Sequence, residues 1–211
     1  MNFKKFKLIQ QYNRVLLWNG FAGKKVSDSP LNQIERVREE ITELNVTTSV
    51  PIGNDYERKV QLVDDLADIF VTAAFLDNMK YEGTRCSVYG YDTNEIVDEL
   101  LRNQNYHEIK SFITVDNALK IVSEIVLSEC NESFDLLGAI EHVMDSNFSK
   151  YIPRGANTWL DLALKQFESE GVDFYVETSQ LYHVVKRVGD DKIMKPKVCY
   201  RAPALDKFVK F

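Results

Sequence analysis

The chain has 211 residues, 45% of them hydrophobic and 27% charged, which is ample for one large core with an appendage. A formal net charge of −6 repels nucleic acid on average, so no polymer partner is expected without a local basic patch. No apolar run approaches a membrane span, and MNFKKFKLIQQYN lacks the apolar core of a signal peptide, which points to the cytoplasm and away from the membrane.

In chain order, residues 3–18 read as a helix carrying Phe3, Phe6, Ile9, Val15 and Leu16, followed by the loop NGFAGKKVSDS. Ser29 then caps a helix with Pro30 at its first position, a strong start signal. That helix, PLNQIERVREEITEL, places Ile34, Val37, Ile41 and Leu44 on one face, and TTSVPIGN breaks it. A longer helix spans 55–79. KYEGTRCSVYGYDT reads as a loop, and further helices fit 93–103, 115–130, 134–150 and 157–169. The pattern then changes: VDFYVET and QLYHVVKRV are rich in β-branched and aromatic residues, GDDK reads as a turn, and KIMKP as a third short strand. The expected fold is mainly α, an antiparallel helical bundle with a four-helix core and extra helices, plus a small C-terminal β-hairpin or meander. Pro153 and Gly155 mark a boundary between a helical domain, 1–155, and a C-terminal helix and β extension, 156–211.

Cys86, Cys130 and Cys199 are far apart and no CxxC occurs, so neither a zinc knuckle nor a disulfide framework is indicated. His107, His142 and His183 are isolated and read as ordinary surface or core residues.

The chemistry concentrates in VDDLADIF, residues 63–70, where three aspartates interrupt apolar surface. At about 100° per residue, Leu62, Val63, Leu66, Ala67, Ile69, Phe70, Ala73 and Ala74 fill an arc of roughly 160°. Gln61, Asp65, Asp68 and Thr72 form a stripe beside it, with Asp64 on the stripe's far side, facing solvent or supporting the site from behind. On the preceding helix Glu40 borders the apolar stripe, and Glu43 and Glu39 lie further round. If both apolar faces share one core, Glu40 and Glu43 oppose Asp65 and Asp68. Crowded carboxylates repel, and a hard divalent cation such as Mg²⁺ relieves that repulsion. The alternative on spacing alone is a solvated acidic face, with Arg36 and Arg38 pairing Glu39 or Glu43. A di-iron carboxylate bundle is excluded because the sequence has no Glu-x-x-His.

Glu39-Glu40-Ile41-Thr42-Glu43 resembles the EExxE motif of the all-α nucleoside triphosphate pyrophosphohydrolases, the MazG-like superfamily. Asp65-Leu66-Ala67-Asp68 stands where that family has ExxD, with aspartate in place of the first glutamate, and Asn147-Phe148-Ser149-Lys150-Tyr151 resembles its NxxKY. Ser146, the tail Lys192-Ile193-Met194-Lys195-Pro196, Tyr200 and Pro203-Ala204-Leu205 resemble the phosphoribosyl-ATP-pyrophosphohydrolase-like branch found in many phages. The resemblance implies Mg²⁺-dependent hydrolysis of an NTP or dNTP between the α and β phosphates, with Mn²⁺ as a substitute ion, in a homodimer or homotetramer. The compartment would be a host's cytoplasm if the chain is phage-encoded. Carried over, Glu40, Glu43, Asp65 and Asp68 ligate the metal and Glu39 is an auxiliary ligand or orients water. Lys150 and Asn147 hold phosphate oxygens, and Gln10, Gln11, Asn13 and Trp18 on the first helix stand near the base. Lys24, Lys25 and Lys195 are within reach of phosphates or simply solvated. The alternative is a nucleotide-binding or interaction protein on the same fold without turnover. A third reading is a true phosphoribosyl-ATP enzyme of histidine synthesis, which the long tail and inserted helices argue against.

Overall fold

A computed structural model describes residues 2–49 and 54–210, apart from the His107 side chain. Eight α-helices among these residues are α1 Phe3–Phe21, α2 Leu31–Ser49, α3 Asp55–Lys80, α4 Glu95–Arg102, α5 Tyr106–Phe112, α6 Ala118–Leu127, α7 Leu136–Ser149 and α8 Asn157–Ser169. Three short strands, β1 Ile152–Pro153, β2 Phe174–Thr178 and β3 Tyr182–Arg187, form an antiparallel sheet in the order β1-β3-β2. The mainly helical architecture with a small C-terminal β element is therefore as expected. No described helix is long and apolar enough to cross a membrane.

The longest helix, α3, is the axis of the bundle. Asn54 and Glu57 close a reciprocal capping box at its start, satisfying two backbone donors that would otherwise lack partners. Leu66, Ile69, Phe70 and Ala74 on α3 are fully buried, and α1, α2, α6 and α7 pack around them. Leu66, Ile69 and Phe70 each contribute about 1.5–3 kcal/mol of burial. α2 forms the most extensive helix pair with α3. Val37 and Leu44 of its predicted face are fully buried, and Ile34 and Ile41 are partly so. The pair runs antiparallel: Gln33 Nε2 donates to Thr72 O at 2.7 Å, while Thr47 at the other end of α2 lies beside Asp65.

Several boundaries differ from expectation. α2 continues through Ser49, so the TTS of the anticipated break is helical; residues 50–53 of that break lie outside the described residues. A 3₁₀ turn, Ser87–Gly90, and the seven-residue α5 occur where no regular element is expected. KIMKP supplies one bridge, Ile193 to Lys186, rather than a strand. The third strand is instead β1, whose Ile152 pairs with His183 immediately after α7. Backbone pairing made across a long sequence separation leaves no mark in a local pattern.

Residues 152–199 carry a small core of their own around Ile152, Ala163, Phe167 and Val185. The chain then returns to the helical body. Phe134 bridges Val209, Asp135 N donates to Phe208 O at 2.8 Å, and Leu205 and Val209 are buried in the main core. Gly138, in the first turn of α7, allows this docking, because a Cβ there would lie 2.6 Å from the Phe208 ring and from Asp135 Oδ2. Gly138→Val should therefore cost about 2 kcal/mol. Thermal or urea denaturation checks this, and an unchanged midpoint would show that the tail does not depend on the contact. Of the histidines, His142 accepts from Ala204 N and contacts Lys207, and His183 Nδ1 lies 3.0 Å from Thr178 Oγ1, both ordinary structural uses.

Candidate active site

A cavity of about 240 Å³ lies where α1, α2, α3, the end of α7 and the loop after β3 meet. α7 delivers its part through one continuous stripe. Ala139, Ile140, Val143 and Met144 are buried against the bundle, and Asn147, one turn further on, ends that stripe at the cavity. Lys150 follows as the helix cap, with its ammonium donating to Asn147 Oδ1 at 2.5 Å. Trp18 closes the wall from α1: its Nε1 donates to Asn147 O at 3.0 Å, its ring stacks on Tyr151 with centroids 5.9 Å apart, and Lys150 Nζ sits 5.7 Å from its ring centroid.

The cavity gathers both signs of charge: Glu40 and Asp68 line it together with Lys24, Arg36, Lys150, Lys192 and Lys195. An open groove of about 640 Å³ shares Arg36, Glu40, Thr72 and Lys192 as walls and adds Glu39 and Glu43, both exposed. Asp65 lines neither space. It is 2% exposed at the α2–α3 contact, where its Oδ1 accepts from Gln61 Nε2 at 2.9 Å and its Oδ2 has no hydrogen-bond partner.

The structure thus brings Trp18, Glu40, Asp68, Asn147 and Lys150 to one cavity and keeps other expected residues away from it. Gln10 and Asn13 are exposed on α1, about two turns or less from Trp18 but outside the cavity. Gln11 is buried and accepts from Arg14 Nη1 at 3.0 Å, which ties it to its own helix. The solvated-face alternative holds for Glu39 and Glu43, which are exposed, but the arginines expected to pair with them have other partners. Arg38 pairs with Glu35 at 2.5 Å, and Arg36 Nη2 donates to the Asp190 carbonyl at 3.3 Å. Arg36 and Lys192 line the cavity although the sequence assigned neither to the site, and Asp64, expected in solvent or behind the site, lies beside the acidic edge. Arg36 lies one turn from Glu40 and so shares its face, and Asp64 stands in the same relation to Asp68. That spacing was available as a signal. Asp64 is half-buried and near enough to Glu43 and Lys195 for its titration to respond to both.

Burial and mutual repulsion hold the buried carboxylates towards their protonated forms. Burial, then Asp68, Glu43, Asp65 and Glu39, push Glu40 up to about 8. Burial and Asp64 push Asp68 up to about 7, against the pull of Lys150. Asp64 and Asp65 are raised as well, in both cases chiefly by burial. Among the described residues no three acidic, histidine or cysteine side chains converge closely enough to hold an ion in their present rotamers. The donor set nevertheless suits Mg²⁺ in kind: every donor is a carboxylate oxygen, Asp65 Oδ2 is buried without a hydrogen-bond partner, and Glu40 and Asp68 resist ionisation.

These shifts fix a sign for stability. As pH rises above the ordinary carboxylate range, the unfolded chain loses these protons before the folded one, so stability falls until Glu40 and Asp68 ionise near 7 to 8. Lys24 and Lys150, pushed down to about 7 and about 8 chiefly by burial, act oppositely above those values, where the unfolded chain keeps more protons. In a chelator, the melting temperature should decline from pH 5 to about 7, pass through a minimum between about 7 and 8, and rise above that. A profile that rises from pH 5 to about 7 in thermal melts would contradict the arrangement of charges.

A larger cavity, about 710 Å³, lies beyond the Trp18–Tyr151 ring pair. Among the described residues its only carboxylate is Asp145, which pairs with Arg14 at 2.5 Å, so they offer no comparable donor set. Comparison with known proteins found no matching family model, no matching curated protein and no matching solved structure.

Proposed function

We propose that the chain is a Mg²⁺-dependent nucleotide pyrophosphohydrolase of the all-α, MazG-like kind. Water would attack the α-phosphorus of an NTP or dNTP, the α–β bridging P–O bond would break, and the products would be the monophosphate and pyrophosphate. The observation that carries this reading is one cavity that gathers Glu40 and Asp68 with Lys150, Asn147 and Trp18. Phosphoryl chemistry asks for charge neutralisation and a positioned nucleophile more than for a covalent partner.

Glu40, Glu43, Asp65 and Asp68 would hold Mg²⁺, or Mn²⁺ in its place, which when bound lowers the pKa of water and neutralises phosphate oxygens. Lys150 would hold a phosphate as a point charge, held in reach by Asn147. Glu39, exposed on the adjoining groove, would orient water. Trp18 offers a ring edge and face for the nucleoside. The working form would be a cytoplasmic homodimer or homotetramer that controls a nucleotide pool.

A second reading, nucleotide binding without turnover, is favoured by one observation: Asp65 is buried away from the cavity and tied to Gln61. Incubation with each NTP and dNTP plus Mg²⁺, with monophosphate and pyrophosphate measured, separates the two. Binding without release of either product would sink the hydrolase reading.

A further inference from the structure

We infer that the cavity beyond the Trp18–Tyr151 ring pair is a second binding site, which takes a nucleoside by its base and bears on the first cavity through that ring pair. The effect on turnover rests on the hydrolase reading; the site itself rests on separate observations.

This cavity, about 710 Å³, falls within the roughly 300–1,000 Å³ of small-molecule sites, and aromatic side chains are prominent in its lining. They come from separate parts of the chain: Phe148 from α7, Tyr151 from the turn after it, Trp159 from α8, Tyr182 from β3 and Tyr200 from the tail. Tyr151 is the hub. Its ring centroid lies 6.2 Å from that of Phe148 and 5.7 Å from that of Tyr182. The tail is tied in by Arg201 N, which donates to Ser149 Oγ at 2.8 Å. Trp159, Tyr182 and Arg201 stand outside every motif that carries the family resemblance.

The polar groups narrow the ligand. Among the described residues, Trp159 Nε1, the Tyr182 and Tyr200 hydroxyls and the Arg201 guanidinium make no hydrogen bond or ion pair, so four potential donors stand at this cavity without partners. Asp145 is already taken by Arg14. An aliphatic ligand would leave these donors unpaired, and a cation would meet Arg201 with no free carboxylate among the described residues to receive it. A metal-bound triphosphate would find no set of metal ligands. A nucleobase meets each demand: its face stacks on aromatic rings, and its ring nitrogens and carbonyls accept hydrogen bonds.

Two contacts join this site to the first cavity. Tyr151, itself 2% exposed, stacks on Trp18 with 8° between the ring planes, and its hydroxyl donates to Trp18 O at 2.6 Å. Lys195, which lines the first cavity, holds its Nζ 5.1 Å from the Tyr200 ring centroid. Close-packed rings do not absorb displacement, so a base seated against Tyr151 and Tyr200 would bias where Trp18 and Lys195 stand in the first cavity. A nucleoside would thus tune the enzyme without competing for its metal or phosphate groups.

Isothermal titration of the full chain with adenosine and with uridine in a chelator tests the site, because neither probe carries a phosphate. Wild type should bind at least one of them. Trp159→Ala should weaken that binding at least about fivefold, the scale of one lost base–aromatic stack. Arg201→Met should weaken it at least about tenfold, as for losing a hydrogen bond to a charged group. Both residues are exposed, and Tyr200→Leu is a third arm should either variant fail to fold, with circular dichroism as the check. No binding of either nucleoside by wild type, equal binding by the folded variants, or indole binding as tight as the better nucleoside would each overturn the site. With turnover present, the bound nucleoside should change kcat in wild type and not in Trp159→Ala. If wild type releases no product from any NTP or dNTP yet binds a nucleoside in a Trp159-dependent way, the site stands and the hydrolase reading falls. If turnover is present and the nucleoside acts only by competing with the triphosphate, the second site falls and the hydrolase reading stands.

Discussion

Glu40→Gln is expected to reduce nucleotide turnover at least about 100-fold, the scale seen when a preorganised electrostatic contact to the transition state is lost. The same change should raise the melting temperature of the metal-free protein. Glu40 is half-buried, and its ionised form suffers from burial and from four neighbouring carboxylates. Glutamine keeps the shape and removes the charge. Each unit of upward pKa shift corresponds to about 1.4 kcal/mol against the ionised state, and solvent access reduces what is realised to roughly 1–2 kcal/mol. For a chain of this length that is a rise of about 2–8 °C near pH 8. Mg²⁺ should stabilise wild type further and the variant little, because binding to the folded state alone raises stability by mass action. The helical spectrum should be unchanged. A folded variant with wild-type turnover would remove Glu40 from the metal site.

Lys150→Met is expected to lower kcat/KM by roughly 10- to 100-fold, in line with the loss of a charged hydrogen bond to phosphate. It should also shift the Mg²⁺ dependence. Lys150 is the cation that holds Asp68 down against burial and Asp64. Without it Asp68 keeps its proton to higher pH, and protons compete with the metal for that carboxylate. The activity–pH profile at limiting Mg²⁺ should therefore move to the alkaline side. A purely structural lysine would lower activity at every pH alike. Profiles of wild type and variant at two Mg²⁺ concentrations distinguish these outcomes.

The helices were legible because amphipathic period and caps are local. Ser29 and Pro30 announce α2, and the face of Ile34, Val37, Ile41 and Leu44 is the one turned to the core. The acidic edge was legible for the same reason, since Glu40 and Asp68 border apolar stripes that must meet. What compensates those acids was not. α3 has no cation between Lys59 and Lys80, and the balancing charges arrive from α7 and from the loop after β3. Asp65 shows the limit of the wheel: it lies on the expected stripe, yet the close packing of α2 buries it against Gln61 and Thr47 instead of opening it to the cavity. Gln11 was misplaced similarly, because Arg14, its neighbour one turn on, claims the amide.

The return of the tail to the helical body has a consequence for folding. The cavity's walls run from Trp18 to Lys195, so the loops that must close to assemble it span most of the chain. Such a site forms only when the long-range contacts do, late rather than early in folding. During synthesis, the emerging helices would acquire a nucleotide pocket only after the last lysines had cleared the ribosome. In hydrogen exchange, a ligand spanning these walls should slow amides deep in α3 as well as those at its contacts, because releasing it requires the whole assembly to open.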